Sequence, residues 1–170
     1  MQSLKKVTSE FIETEDRIKL SALTTEDKAV AFWMTQRLLT RLVAHLSEKI
    51  EMDSPQLGNA PKGEGVNNSD RDIEANRESF VPESAVKIEK NIKSILITEV
   101  DIKFGKSDLT LVLKSGKKSC ASISFSFSEL KQWLEILYTL WHRASWPISL
   151  WPQKLIDNSS IKQVSTNTIH

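Results

Sequence analysis

From Ser119 to Phe127 the chain reads SCASISFSF, with small and bulky side chains in strict alternation. Successive residues of a strand point to opposite faces, so Ser122, Ser124 and Ser126 share one face and Ala121, Ile123, Phe125 and Phe127 the other. A slip of one residue would bury serines and expose phenylalanines, so the register of this strand is strongly specified. Two more alternating segments precede it, SILITEVDIKF with Val100, Ile102 and Phe104, and DLTLVLK with Leu109, Leu111 and Leu113. The connections GKS and KSGKK each supply a glycine suited to a tight turn, and the three segments read as an antiparallel meander.

A second alternating region lies near the start. RIKLSAL from Arg17, the turn TTEDK, and AVAFWM with Val30, Phe32 and Met34 on one face predict a β-hairpin. No element is assigned before Arg17. The period then lengthens: Leu39, Leu42, Val43, Leu46 and Ile50 recur at spacings of three and four, predicting an amphipathic helix from about Thr35, its cap, to Glu51. After the meander, Ser128 is taken as the cap of a second amphipathic helix, whose apolar face is Leu130, Trp133, Leu134, Leu137 and Trp141, ending before Pro147.

Residues 52–82 hold three of the five prolines and three of the five glycines, with few large apolar side chains. Such a stretch buries too little surface to offset its ordering entropy and reads as a flexible acidic connection. The fold class expected is therefore α+β: an antiparallel sheet, made of the N-terminal hairpin and the three-stranded meander, packed by two amphipathic helices. One domain spans 1–155, with the connection inside it and a disordered tail at 156–170. FWMTQRLLTRLVAHL and FSFSELKQWLEILYTLW share a strand-to-helix grammar. Either a duplicated unit or two independent junctions obeying the same capping preference accounts for this, and with Ser128 as the cap the two apolar stripes start at different distances from it.

Composition narrows the function classes. With 39% hydrophobic and 26% charged residues, the chain is ordinary globular material, and its net charge of +1 exerts no global pull on nucleic acid or acidic membranes. The start, MQSLKKVTSEFIETED, has no apolar stretch behind its lysines, and no run approaches the roughly 18 apolar residues a spanning helix needs. The single cysteine, Cys120, removes a disulfide framework. A cytoplasmic protein without a membrane span is expected. The five glycines never form a phosphate-cradling pattern, and the three histidines, His45, His142 and His170, lie at no metal-ligand spacing to one another or to the cysteine. No catalytic residue, cofactor, metal or small-molecule substrate is assigned. A pocket joining His45 or Cys120 to a carboxylate would reopen the enzyme reading.

Two surfaces remain. Trp146 and Trp151 each precede a proline, which pushes them toward extended backbone; with Ile148 and Leu150 they form the candidate partner-binding surface, where at least one indole is expected to pack back on the chain's own core. The leading expectation is a non-enzymatic protein interaction module, an adaptor or assembly subunit, forming a homodimer or larger homo-oligomer or binding a protein partner. The alternative is nucleic-acid binding through Arg37 and Arg41 on the first helix and Lys114, Lys117 and Lys118 of the meander. Charge is segregated along the chain, with basic excess in 85–170 and acidic excess in 52–84. Exposed aromatics interleaved with these basic residues, as base stacking requires, are not evident.

Overall fold

The computed structural model describes residues 1–52, 85–86 and 92–151, and side chains of the first range up to Lys49. The connection assigned to 52–82 and the tail assigned to 156–170 lie outside the described residues, Met52 apart. The described chain runs β1 (Gln2–Ile12), a 3-10 turn (Glu13–Glu15), β2 (Arg17–Thr24), β3 (Ala29–Thr35), α1 (Gln36–Met52), β4 (Ser94–Leu96), β5 (Glu99–Phe104), β6 (Asp108–Ser115), β7 (Lys118–Ser126) and α2 (Phe127–Arg143).

The class is α+β, and the sheet is mixed where an antiparallel one was expected. Hairpin and meander form as read, β2 against β3 and β5–β6–β7 in antiparallel succession. An unforeseen strand, β1, and an unforeseen pairing of β4, the opening of the expected SILITEVDIKF strand, change the architecture. β1 pairs antiparallel with β2 and, through Gln2 to Leu4, parallel with β7. β4 pairs parallel with β3. The strand order is β4-β3-β2-β1-β7-β6-β5.

The ends of that order are neighbours in the chain, separated by Ile97 and Thr98 alone. Ile97 N–H donates to Trp33 O of β3 at 2.9 Å, and Thr98 N–H donates to Lys114 O of β6 at 2.9 Å. The sheet therefore curls until its two edges meet, with β4 and β5 as the arms of one bent strand. Closure of this kind removes exposed sheet edges. The turns use their glycines as the backbone requires: Gly116 sits at φ +58°, and a Cβ on Gly105 would lie 1.9 Å from Asp108 Oδ1.

The second helix begins two residues earlier than expected. Its cap is Ser126, whose Oγ accepts from Glu129 N–H at 3.3 Å while the Glu129 carboxylate accepts from Ser126 N–H at 2.7 Å. This capping box ends the alternation at Phe125, so Phe127 opens the helix and is exposed instead of facing inward. Thr35 caps α1 in the same way, its Oγ1 accepting from Leu38 N–H at 3.3 Å.

With the cap corrected, the second and third strands and the helix of each half correspond residue by residue. One constant shift in number takes Thr35 to Ser126, and it takes the β2–β3 pairs Arg17–Thr35 and Ile18–Met34 to the β6–β7 pairs Asp108–Ser126 and Leu109–Phe125. It carries buried Leu39, Leu42, Val43, Leu46 and Ser47 of α1 onto buried Leu130, Trp133, Leu134, Leu137 and Tyr138 of α2. Exchanging the halves by that shift, forward for one residue and backward for the other, turns the parallel contact Ser94–Ala31 into Ser3–Ser122. Each half lends the opening arm of its first strand to the last strand of the other. The molecule is thus two β-β-β-α repeats with exchanged arms around one core, which includes Ile18, Phe32, Met34, Leu109, Leu111, Leu134 and Trp141.

Candidate functional site

A groove of about 390 Å³ opens between α1 and the bent strand, lined by Leu38, Arg41, Leu42 and His45 of the helix and by Thr98, Glu99, Val100 and Ile102. Its position follows from the register. Val100, Ile102 and Phe104 pair with Leu113, Leu111 and Leu109, so they share the face that carries the core. On α1, Leu38, Arg41, Leu42 and His45 follow at spacings of three and four along the side turned to that strand.

The second repeat has the same place, and there it is filled. Val7, Ser9 and Phe11 of β1 pair with Ala22, Leu20 and Ile18, the counterparts of Leu113, Leu111 and Leu109, so they correspond to Val100, Ile102 and Phe104. Opposite Ser9 stands Trp133, the counterpart of Leu42. Its Nε1–H donates to Ser9 Oγ at 3.1 Å and its ring stacks on Phe125 at 5.3 Å. Phe11 is covered edge-on by Trp146 at 5.7 Å. In the first repeat a leucine replaces the indole. Phe104 remains 39% exposed, met by the His45 ring at 6.2 Å and by Lys49 Nζ at 5.5 Å from its centroid.

Charge in the groove is uneven. Glu99 and Asp101 both face Lys114, at 3.5 and 2.6 Å, and the hydrogen bond the Lys114 ammonium donates to Asp101 is the main reason it is held above its usual pKa range. Arg41 forms no ion pair among the described residues and places a positive charge on the helix side of the groove, while on the strand side two carboxylates share one ammonium. The groove does join His45 to a carboxylate, Glu99, the combination that would reopen an enzyme reading. Cys120 is not part of it; its Sγ lies 3.5 Å from Lys118 O in β7. The hydroxyl of Thr98 accepts from Gly116 N–H at 2.8 Å. Among the described residues no three His, Cys, Asp or Glu side chains converge as metal ligands. What the groove offers chemically is an apolar floor between Arg41 on the helix side and Glu99 on the strand side.

The tail tryptophans are placed differently from the docking surface proposed for them. Trp146 and Trp151 are only 6% and 5% exposed, and both pack edge-on against Trp141, at 4.9 and 5.5 Å. Trp151 also meets Tyr138 at 5.3 Å. Trp146 Nε1–H donates to Asp16 Oδ1 at 2.9 Å, and Trp141 Nε1–H donates to Pro147 O at 2.9 Å. Both indoles are consumed inside this chain because the turn after α2 folds back, with Ser145 at φ 55°. Ile148 is 43% exposed and Leu150 is half-buried, so the four residues do not form one apolar face.

The basic set is also redistributed. Arg37 and Arg41 are exposed on α1, and Arg41 reaches the groove. Lys114 is tied to two carboxylates, which removes it as a free phosphate contact. Lys117 and Lys118 belong to the β6–β7 turn, brought beside the bent strand by the Gly116 to Thr98 hydrogen bond. Reasoning from sequence missed Leu38, Leu42, Thr98, Glu99 and Val100 as site residues. The one available signal was the contrast between Leu42 and Trp133 under a correct alignment of the repeats. No family model, curated protein or solved structure matches this chain. No helix among the described residues is long and apolar enough to cross a membrane.

Proposed function

We propose that this protein is a non-enzymatic interaction module, an adaptor or small assembly subunit, and that its partner occupies the groove between α1 and β5 rather than the tail tryptophans. The observation that carries this reading is the difference between equivalent positions among the described residues: one groove is filled by Trp133 and covered by Trp146, and the other is open beside Leu42. An open apolar pocket with a few polar groups at its rim is the usual form of a recognition site. The Ile148 patch is the remaining part of the tail available to a partner. Nucleic-acid binding has one contact in its favour, the approach of the Lys117–Lys118 turn to the groove strand. Against it stands the pairing of Lys114 with Glu99 and Asp101, which removes that lysine as a phosphate contact.

A photo-crosslinking amino acid placed at His45, at Lys131 on α2, or at Ile148 tests the reading in cells that make the protein. Protein adducts should form from position 45, be absent from 131, and disappear when Leu42→Trp is added. Adducts only from 148 would move the interface to the tail, and nucleic-acid adducts from 45 would replace the reading with the second one. No adduct at any position would overturn it.

A further inference from the structure

We infer that the groove receives an aromatic side chain carried by an acidic segment of a protein partner, a refinement that rests on the interaction reading above. The junction of α2 with β1 already displays such an occupant. Trp133 of the helix reaches Ser9 of the strand, and an extended tryptophan–proline segment lays Trp146 edge-on against Phe11 at 5.7 Å. The α1–β5 junction has no such indole among the described residues: Leu42 stands at the counterpart of Trp133, beside the groove lined by Val100 and Ile102, and Phe104, at the counterpart of Phe11 and outside that lining, is 39% exposed. An aromatic ring seated there would bury on the order of 150–250 Å² in an arrangement the fold tolerates once already. The space of about 390 Å³ is enough for one ring and the backbone beside it.

Charge selects the flanks of that ring. Arg41 lines the helix side of the rim and Lys49 lies beyond it over Phe104, while Glu99 on the opposite wall shares Lys114, at 3.5 Å, with Asp101 at 2.6 Å. Carboxylates beside the aromatic residue complement the helix side of the rim. The repeat whose groove is filled has a different rim: Gln132 and Ile136 stand at the counterparts of Arg41 and His45. The arginine on the helix side is therefore found only where the groove is open, while on the strand side Lys6 of the filled junction stands at the counterpart of Glu99.

Fluorescence anisotropy with a panel of labelled twelve-residue peptides, carrying one Trp, Phe or Ala between acidic or basic flanks, tests this on the full chain. Acidic Trp or Phe peptides should bind at least tenfold more tightly than the Ala peptide and than the basic ones. Leu42→Trp should abolish binding. Arg41→Glu, an exposed change that leaves the core alone, should weaken it at least fivefold, and Ile136→Ala on α2 should leave it unchanged. Equal binding of Trp and Ala peptides, preference for basic flanks, or binding insensitive to Arg41→Glu would overturn the proposal. Tighter binding of a single-stranded oligonucleotide, or a groove-dependent dimer in sedimentation, would assign the groove to nucleic acid or to a second copy and overturn it as well. If protein adducts form from position 45 while every peptide fails, the aromatic–acidic rule falls and the interaction module stands; if both fail, both fall.

Discussion

The two repeats share register, caps and buried positions, and they differ where a helix meets the opening strand. Where α2 meets β1, Trp133, Trp146 and Phe11 close that junction; where α1 meets β5, Leu42 and Phe104 leave it open among the described residues, with Arg41 and His45 at its rim. Buried positions common to both repeats are those any sequence must satisfy to make this fold. Positions where only one repeat forgoes burial are where a chain gives up apolar contact it demonstrably knows how to make. The comparison therefore separates residues that hold the structure from residues available for recognition, without reference to any other protein.

The largest expected effect breaks the closed junction. Trp146→Ala removes a buried indole that touches Phe11 and Trp141 and donates to Asp16, and should cost about 3–5 kcal/mol in urea unfolding. Ile148→Ala, one turn further and exposed, should change stability by less than about 0.5 kcal/mol. Equal effects would mean that the tail does not belong to the core. Trp133→Leu gives the second repeat the residue of the first, and should cost about 2 kcal/mol and open a second groove, detectable by small-molecule probe binding or by a crystal structure. A neutral result would show that the indole is not what closes the junction. The smallest effect sharpens the likeness of the caps. Thr35→Ala should cost about 0.5–1 kcal/mol and Ser126→Ala about 1–2, because only Ser126 has a glutamate three residues on to complete the box. A reversed order would count against equivalent junctions.

How far the sequence could be read depended on the range of the interaction. Strands β2, β3, β6 and β7 and both helices were legible because alternation and three-four spacing are local consequences of backbone geometry. Ser126 was misread for a local reason too: the Ser–Phe alternation runs into the capping box, and two valid rules overlap there. β1 escaped notice because its inward positions include Ser9, which is acceptable only because Trp133, distant in sequence, donates to it. β4 is three residues long and owes its existence to parallel pairing with β3. The groove was invisible since Leu42 reads as an ordinary core leucine until Trp133 is seen in the same place.

By itself the sequence determined the inward faces of β2, β3, β6 and both helices, and that the chain repeats a grammar, all of which depend on neighbours within a few residues. Tertiary structure alone decided that the opening arms would cross between repeats, that Ile97 and Thr98 would join the two edges of the sheet, and that both tail indoles would be enclosed while one helix–strand junction stayed open. An alternating pattern states that a side chain needs an apolar partner. It does not say which partner, because many pairings bury the same surface, and only the closed core, where every large side chain competes for one space, selects among them.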